Sequence, residues 1–515
     1  MLETPTLWQL IEARAAKTPE ARLAVDAEGR TLDFIGYREA CLRTARGLVQ
    51  LGVGPGRTVS WALPTRMESL ILVGALARLD AIQNPILPIY RHREVRFIAQ
   101  QCRPCLLITP PEWRGFDYPA MAAEIASEQD DMKALVVDRA LPEAGEEVEL
   151  PPPPEALEPA SLPVRWLFYT SGTTADPKGV QHTDASLWAA AKGMSLGLAI
   201  EPEDRVAFVF PITHIGGINW LQAALSFGCS HILIENFAAE TTMPTLRREG
   251  MTLGAAGTVF HEAYLAAHRA SEEKPLFPTL RAFTGGGAPK PPQLHYELIE
   301  EMGGVGIVAG YGMTEAPILT MASVGDPTDK LAETEGRVSL PEVDLRVVRD
   351  DGQLAAPGEQ GELRCKGPQL FRGYLDPELN ATAFDEDGYF RSGDLGILDA
   401  DGYCVVTGRL KDVIIRKGEN IPAKEVEDLL YRHPKVADVA VIGLPDARTG
   451  ERCCAVVECH AAGDPLAFEE MQTFLRDQQL MVQKIPEQLE LVDRIPRNPT
   501  GKILKHELRE RYAEK

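Results

Sequence analysis

Near its start the chain places Leu7, Leu10, Ile11 and Ala15 at the spacing of one helical face. Helical and strand-like stretches then alternate over roughly the first 140 residues. Residues 139–163 are rich in Pro and Glu, with Pro151 to Pro154 consecutive, and read as an exposed connection. Beyond it, three short apolar runs, VRWLF, RAF and GIVA, each give way to a Gly/Thr-rich loop. These loops are Thr170–Gly179, Thr284–Pro289 and Gly310–Glu315. Apolar runs of this length predict buried strands. Loops converging at the C-terminal ends of strands in one sheet are how an α/β ligand site is built.

From 341 to 407 the pattern becomes alternating: EVDLRVVRDDGQL, GELRCKG and GYCVVTG, with DDG and DADG as hairpin turns. After Gly408 it changes again. EVEDLLYRHP and FEEMQTFLRDQ predict helices, and ADVAVIG and CCAVVEC predict strands. The expected fold class is α/β: a large N-terminal domain of parallel-rich sheets with helices, a β-rich subdomain, and a small C-terminal α+β domain. The expected domains are 1–410 and 411–515.

Composition narrows the partners. The 515 residues carry a net charge of −22, which disfavours nucleic acid and anionic membrane as partners of the whole molecule. The longest apolar run, Leu70–Ala77, is too short to span a bilayer. Nine scattered cysteines and no signal-peptide pattern lead to an expectation of a reducing cytoplasm. Cys102 and Cys105 form a C-x-x-C with no second pair nearby, which favours two buried thiols over a zinc site. Oligomeric state stays open, with a homodimer among the alternatives.

The chemistry concentrates in FYTSGTTADPKGV, Phe168–Val180. Seven of the ten residues Thr170–Gly179 are Ser, Thr, Gly or Lys, which can offer N–H groups, hydroxyls and an ammonium to a polyphosphate. The Walker pattern starting at Gly172 fails, with Pro177 in place of its second Gly and Gly179 in place of Ser/Thr. Two other motifs lack their context. Gly193-Met-Ser195-Leu-Gly197 matches a nucleophile elbow but follows a helical stretch. Gly304-Val-Gly306-Ile-Val-Ala309 matches a dinucleotide fingerprint but follows a helix and leads into a strand.

Taken together, YTSGTTADPKGV, PITHIGG, TGGGAP, GYGMTE, GELRCKG, YFRSGDLG, GRLKDVIIRKGENI and PTGKILK resemble the adenylate-forming superfamily, in its acyl-CoA synthetase branch. The resemblance implies a small-molecule carboxylic acid, ATP and coenzyme A as substrates, Mg²⁺ as the metal, and a C-terminal domain that moves. It implies that Thr170, Ser171, Gly172, Thr173, Thr174 and Lys178 cradle the outer phosphates, and that Gly286, Gly287 and Ala288 lie against adenine. Tyr311 and Gly312 complete the nucleotide site; Thr314 and Glu315 meet the α-phosphate and the metal; Asp394, supported by Arg409, takes the ribose. Lys502 serves adenylation, Lys411 lies at the hinge, and Gly418 and Lys417 face coenzyme A. His214 is a gate or pocket wall. The acyl pocket is expected from Ile218, Trp220, Gly285, Ala309, Gly310 and Ile318. These side chains favour an apolar medium-chain, alicyclic or aromatic acid. A carrier-protein acceptor and a steroid side-chain acid stand as alternatives. The ending Gly418-Glu-Asn-Ile421 is similar to that of CoA ligases.

Overall fold

The computed structural model describes the chain except residues 171–176, 256, 288–289, 417–418, 447, 462, 498–501 and 514–515. A nine-stranded sheet has, in spatial order, Arg337–Val338, Thr320–Met321, Ile307–Tyr311, Ala282–Gly285, Leu253–Gly254, Arg205–Phe208, Ser230–Leu233, Arg22–Asp26 and Thr31–Asp33. Its central strands pair in parallel, and its outer pairs are antiparallel. A six-stranded sheet has the order Lys178–His182, Trp166–Thr170, Ile82–Pro85, Thr58–Trp61, Leu106–Thr109 and Lys133–Val136. The first pair is an antiparallel hairpin with Lys178 opposite Thr170, and the rest are parallel. The three strand-then-loop units therefore exist, but they do not share one sheet edge as expected. Trp166–Thr170 belongs to the six-stranded sheet, whereas Ala282–Gly285 and Ile307–Tyr311 belong to the nine-stranded one.

The helices between the sheets explain the misleading motifs. Helix Asp184–Gly197 starts at Thr183, whose side chain accepts a hydrogen bond from the Ser186 amide. A Cβ at Gly193 would stand 2.8 Å from Ser339 Cβ, and one at Gly197 would stand 2.5 Å from the Ala322 carbonyl oxygen. The two glycines thus permit close packing, and Ser195 between them is a fully buried helical residue rather than an exposed nucleophile. Helix Leu7–Lys17 buries Leu7, Leu10, Ile11 and Ala15, the face read from the sequence.

Strands Asp344–Val348, Gly361–Lys366, Phe390–Leu398 and Cys404–Arg409 form a four-stranded antiparallel meander, the expected β-rich subdomain. A further sheet begins at Val413 and pairs the long strands Val436–Asp446 and Gly450–Cys459, with Gln488–Val492 added in parallel. Helices Ala423–Leu430 and Phe468–Asp477 cover one face of this sheet through Val426, Leu430, Met471 and Leu475. Helix Lys505–Tyr512 covers the other face through Leu508 and Tyr512. Among the described residues no helix is long and apolar enough to cross a membrane.

Candidate active site

The two large sheets, the β-rich meander and the C-terminal segment enclose a cavity of about 710 Å³. Of the residues singled out in the sequence, Thr170, Lys178, His214, Trp220, Gly285, Gly286 and Gly287 line it. So do Gly310, Gly312, Thr314, Glu315, Ile318, Asp394, Arg409, Lys411 and Lys502. Ser171, Gly172, Thr173, Thr174, Ala288, Lys417 and Gly418 lie outside the described residues.

Three expected residues do not line it. Ile218 is on the core-facing side of helix Ile215–Phe227 and is fully buried among apolar neighbours, while Ile215, Gly216, Asn219 and Trp220 present the cavity side. Ala309 packs into the core beside Phe283 and Ile307, because strand alternation turns Gly310 to the cavity and Ala309 away. Tyr311 acts one layer back. Its hydroxyl donates to Asp394 Oδ2 at 2.8 Å.

Asp394 is set by its hairpin. It lies opposite Arg409 in the pairing of Phe390–Leu398 with Cys404–Arg409, and Arg409 Nε stands 3.0 Å from Asp394 Oδ1. Both carboxylate oxygens therefore have a partner on an acid that is only 5% exposed. Lys411 and Lys502 reach the same wall of the cavity. Burial, then the neighbouring charge of Arg409, lowers each ammonium to about 8; Lys411 adds to the effect at Lys502. Three cations thus face one carboxylate and Asp412, an arrangement that favours an added anion.

The loop after strand Ile307–Tyr311 is tied to the other sheet. His182 Nε2 donates to the Thr314 carbonyl at 2.7 Å, leaving Nδ1 to accept at 2.9 Å from Ser186 Oγ. Burial lowers the His182 ring to about 4, so it stays neutral and keeps this tautomer. Tyr374 Oη donates to Glu315 Oε1 at 2.8 Å, and the Lys178 ammonium is 5.3 Å from the Tyr374 ring centroid. His182 and Tyr374 were not anticipated, because their function is visible only in what they touch. Gly286 has φ +158° and a Cβ there would lie 3.2 Å from the Gly310 carbonyl oxygen, whereas Gly287 at φ +78° opens onto free space. That leaves a bare backbone surface against which a flat ring can lie.

His214 caps helix Ile215–Phe227: its Nδ1 accepts from the Gly216 amide at 3.1 Å. Burial lowers its ring to about 4. It is a neutral wall and cap, not a group poised to exchange protons near pH 7. Ile318, a β-branched residue at φ +50°, is held in the left-handed region while facing the cavity. Phe210, Trp220, Phe260 and Met321 give the cavity an apolar lining, to which Tyr90 adds a ring and a buried hydroxyl without a partner.

The profile of the AMP-binding enzyme family matches residues 11–375, and that of the AMP-binding enzyme C-terminal domain matches residues 425–502. A medium-chain fatty-acid–CoA ligase of Escherichia coli (strain K12) is 28% identical over 507 residues, covering 96% of this chain and 88% of the relative. A salicyl-AMP ligase / salicyl-S-ArCP synthetase of Mycobacterium tuberculosis (strain ATCC 25618 / H37Rv) is 30% identical over 520 residues, covering 97% and 89%. Among solved structures, the O-succinylbenzoate coenzyme A synthetase of Bacillus subtilis in complex with ATP and magnesium ion superposes with a TM-score of 0.83 at 29% identity, covering 97% of this chain and 98% of that one.

Proposed function

The chain belongs to the AMP-binding family of adenylate-forming ligases, and we propose that it is an ATP-dependent carboxylic acid–CoA ligase working through an acyl-adenylate. The observation that carries this reading is one cavity with two unlike ends. Asp394, Arg409, Lys411 and Lys502 stand at the polar end, and aromatic and aliphatic side chains at the other.

A carboxylate is a poor electrophile until its oxygen attacks the α-phosphorus of ATP. The P–O bond to the leaving pyrophosphate then breaks, and a mixed anhydride remains. The protein must hold two anions together and neutralise the charge that develops. Lys502 and Lys178 supply positive charge, the latter to the departing pyrophosphate together with the loop residues 171–174. Thr314 faces the α-phosphate. Asp394, oriented by Tyr311 and Arg409, accepts from the ribose hydroxyls, and Gly286 and Gly287 face the adenine.

The donor set fits Mg²⁺ only in company with phosphate. Glu315 offers one hard carboxylate, and no group of three metal-ligating side chains exists among the described residues. When bound there, Mg²⁺ would neutralise phosphate charge. Coenzyme A then attacks the carbonyl through its thiol, expelling AMP. The small domain, 411–515, would turn about Lys411 between the two steps, bringing Lys417 and Gly418 to the thiol's path.

Among the cavity residues contributed by 87–90, 194, 210–220 and 257–260, none is Lys or Arg, and His214 is neutral. This supports an acid with an apolar body, medium-chain, alicyclic or aromatic, over a dicarboxylate. A panel of such acids, assayed for AMP release with ATP and coenzyme A, tests the reading. No AMP with any acid, even with hydroxylamine as acceptor, would overturn it. Running coenzyme A and a carrier protein side by side decides the acceptor.

A further inference from the structure

The apolar end of the cavity contains one amide. Asn219 lines the cavity from helix Ile215–Phe227 and is 1% exposed. Its Oδ1 is buried without a hydrogen-bond partner. The cavity-lining residues Met194, Ile215 and Trp220 of the helices Asp184–Gly197 and Ile215–Phe227 carry no side-chain oxygen. An unpaired buried amide costs about 1–3 kcal/mol, a cost that an apolar side chain would avoid.

The surroundings extend the observation. Trp188 Nε1, near the start of helix Asp184–Gly197, donates to Ser226 Oγ, near the end of helix Ile215–Phe227, at 3.1 Å. Met194 and Asn219, on the same two helices, both line the cavity. Ser195 Oγ and Gln222 Oε1 are also buried without partners. The two helices joined by the Trp188–Ser226 hydrogen bond thus bury three unpaired polar oxygens, one of them on the cavity-lining Asn219.

We infer that Asn219 is a specificity-determining residue, and that the acid this protein activates has an apolar body bearing a hydroxyl or oxo group where it meets this amide. The carboxamide N–H donates, and the oxygen of either a hydroxyl or an oxo group accepts. The inference rests on the acid-activating reading and refines its apolar acid. A site that hydrogen-bonds a substrate group rejects the analogue lacking it far more strongly than a greasy pocket rejects an extra methylene.

The test compares parent acids with their hydroxylated positional isomers: octanoate, cyclohexanecarboxylate and benzoate, each against its monohydroxy forms. Adenylation is read as hydroxamate formation by the wild type and by Asn219→Leu. One isomer is expected to exceed its parent in kcat/KM by at least about 10-fold, and Asn219→Leu is expected to abolish that preference. Wild-type turnover of parents with no hydroxylated isomer preferred overturns the inference and leaves the ligase reading standing. A preference that survives in Asn219→Leu also overturns it. Absence of turnover with every acid overturns the ligase reading itself. The wild-type comparison stands alone if the variant does not fold.

Discussion

Tyr374 donates its hydroxyl proton to Glu315 Oε1 at 2.8 Å while its ring lies under the Lys178 ammonium. One phenol thus holds both an acid from the nine-stranded sheet's loop and a cation from the six-stranded sheet's hairpin. Tyr374→Phe keeps the ring and loses the hydrogen bond. Adenylation is expected to fall about 10- to 100-fold, the scale of losing one charge-assisted hydrogen bond of about 1.5–3 kcal/mol, and the Mg²⁺ concentration at half-maximal rate is expected to rise. A magnesium titration of ATP–pyrophosphate exchange measures both.

Lys502→Ala removes the cation that reaches the cavity from the far end of the chain. Adenylation is expected to drop by about 10²-fold or more, comparable to losing an oxyanion donor of about 2.7–4 kcal/mol. Thioester formation from a supplied acyl-adenylate is expected to persist, because the charge is no longer needed once pyrophosphate has left. Pyrophosphate exchange unchanged in the variant would refute the assignment.

Lys411 and Lys502 are lowered by burial, then by Arg409, to about 8. Bound phosphates favour their charged forms, so ATP binding at pH 8 is expected to take up protons, and at pH 6.5 it is not. Calorimetry in buffers of different ionisation enthalpy reads the difference. The sign for stability follows from linkage. The fold disfavours both charges, so between about 8 and the ordinary lysine value of 10.5 the unfolded chain binds more protons. These two groups therefore make the unliganded protein more stable as pH rises through that window, and their destabilising effect is complete below it.

His214, lowered to about 4 by burial, caps its helix as a neutral ring. The pH profile of adenylation is expected to show no histidine limb near 6.5. His214→Ala is expected to cost about 1 kcal/mol of stability through the lost cap, read as a shift in the denaturant midpoint, and to enlarge the acyl end of the cavity.

Asp394→Asn leaves the residue's size and removes the charge that Arg409 and Tyr311 address. The KM for ATP is expected to rise about 10-fold or more, on the scale of breaking a buried charged pair. The KM for the acid is expected to change little. Initial-rate kinetics with each substrate varied in turn separate the two.

The order of elements along the chain was legible in the sequence, because each is fixed by local pattern. The apolar runs before the three glycine-rich loops are strands, the alternating stretch 341–407 is a meander, and Leu7, Leu10 and Ile11 are one helix face. The described residues of those loops that line the cavity, Thr170, Lys178, Gly286, Gly310, Thr314 and Glu315 among them, were picked out in the sequence by their type and spacing. Tertiary structure decided what the pattern does not encode. The strands that precede the three loops come from two sheets rather than one, because strand order depends on crossover connections. Gly193 and Gly197 are spacers, because Ser339 and Ala322 stand where a Cβ on either would have to fit. Ile218 and Ala309 turn into the core while Asn219 and Gly310 face the cavity, because the orientation of a helix or strand is set by what packs on its other side. Tyr374, His182 and Asn219 matter through contacts made, or left unmade, across long separations in sequence, and only the folded chain brings those atoms together.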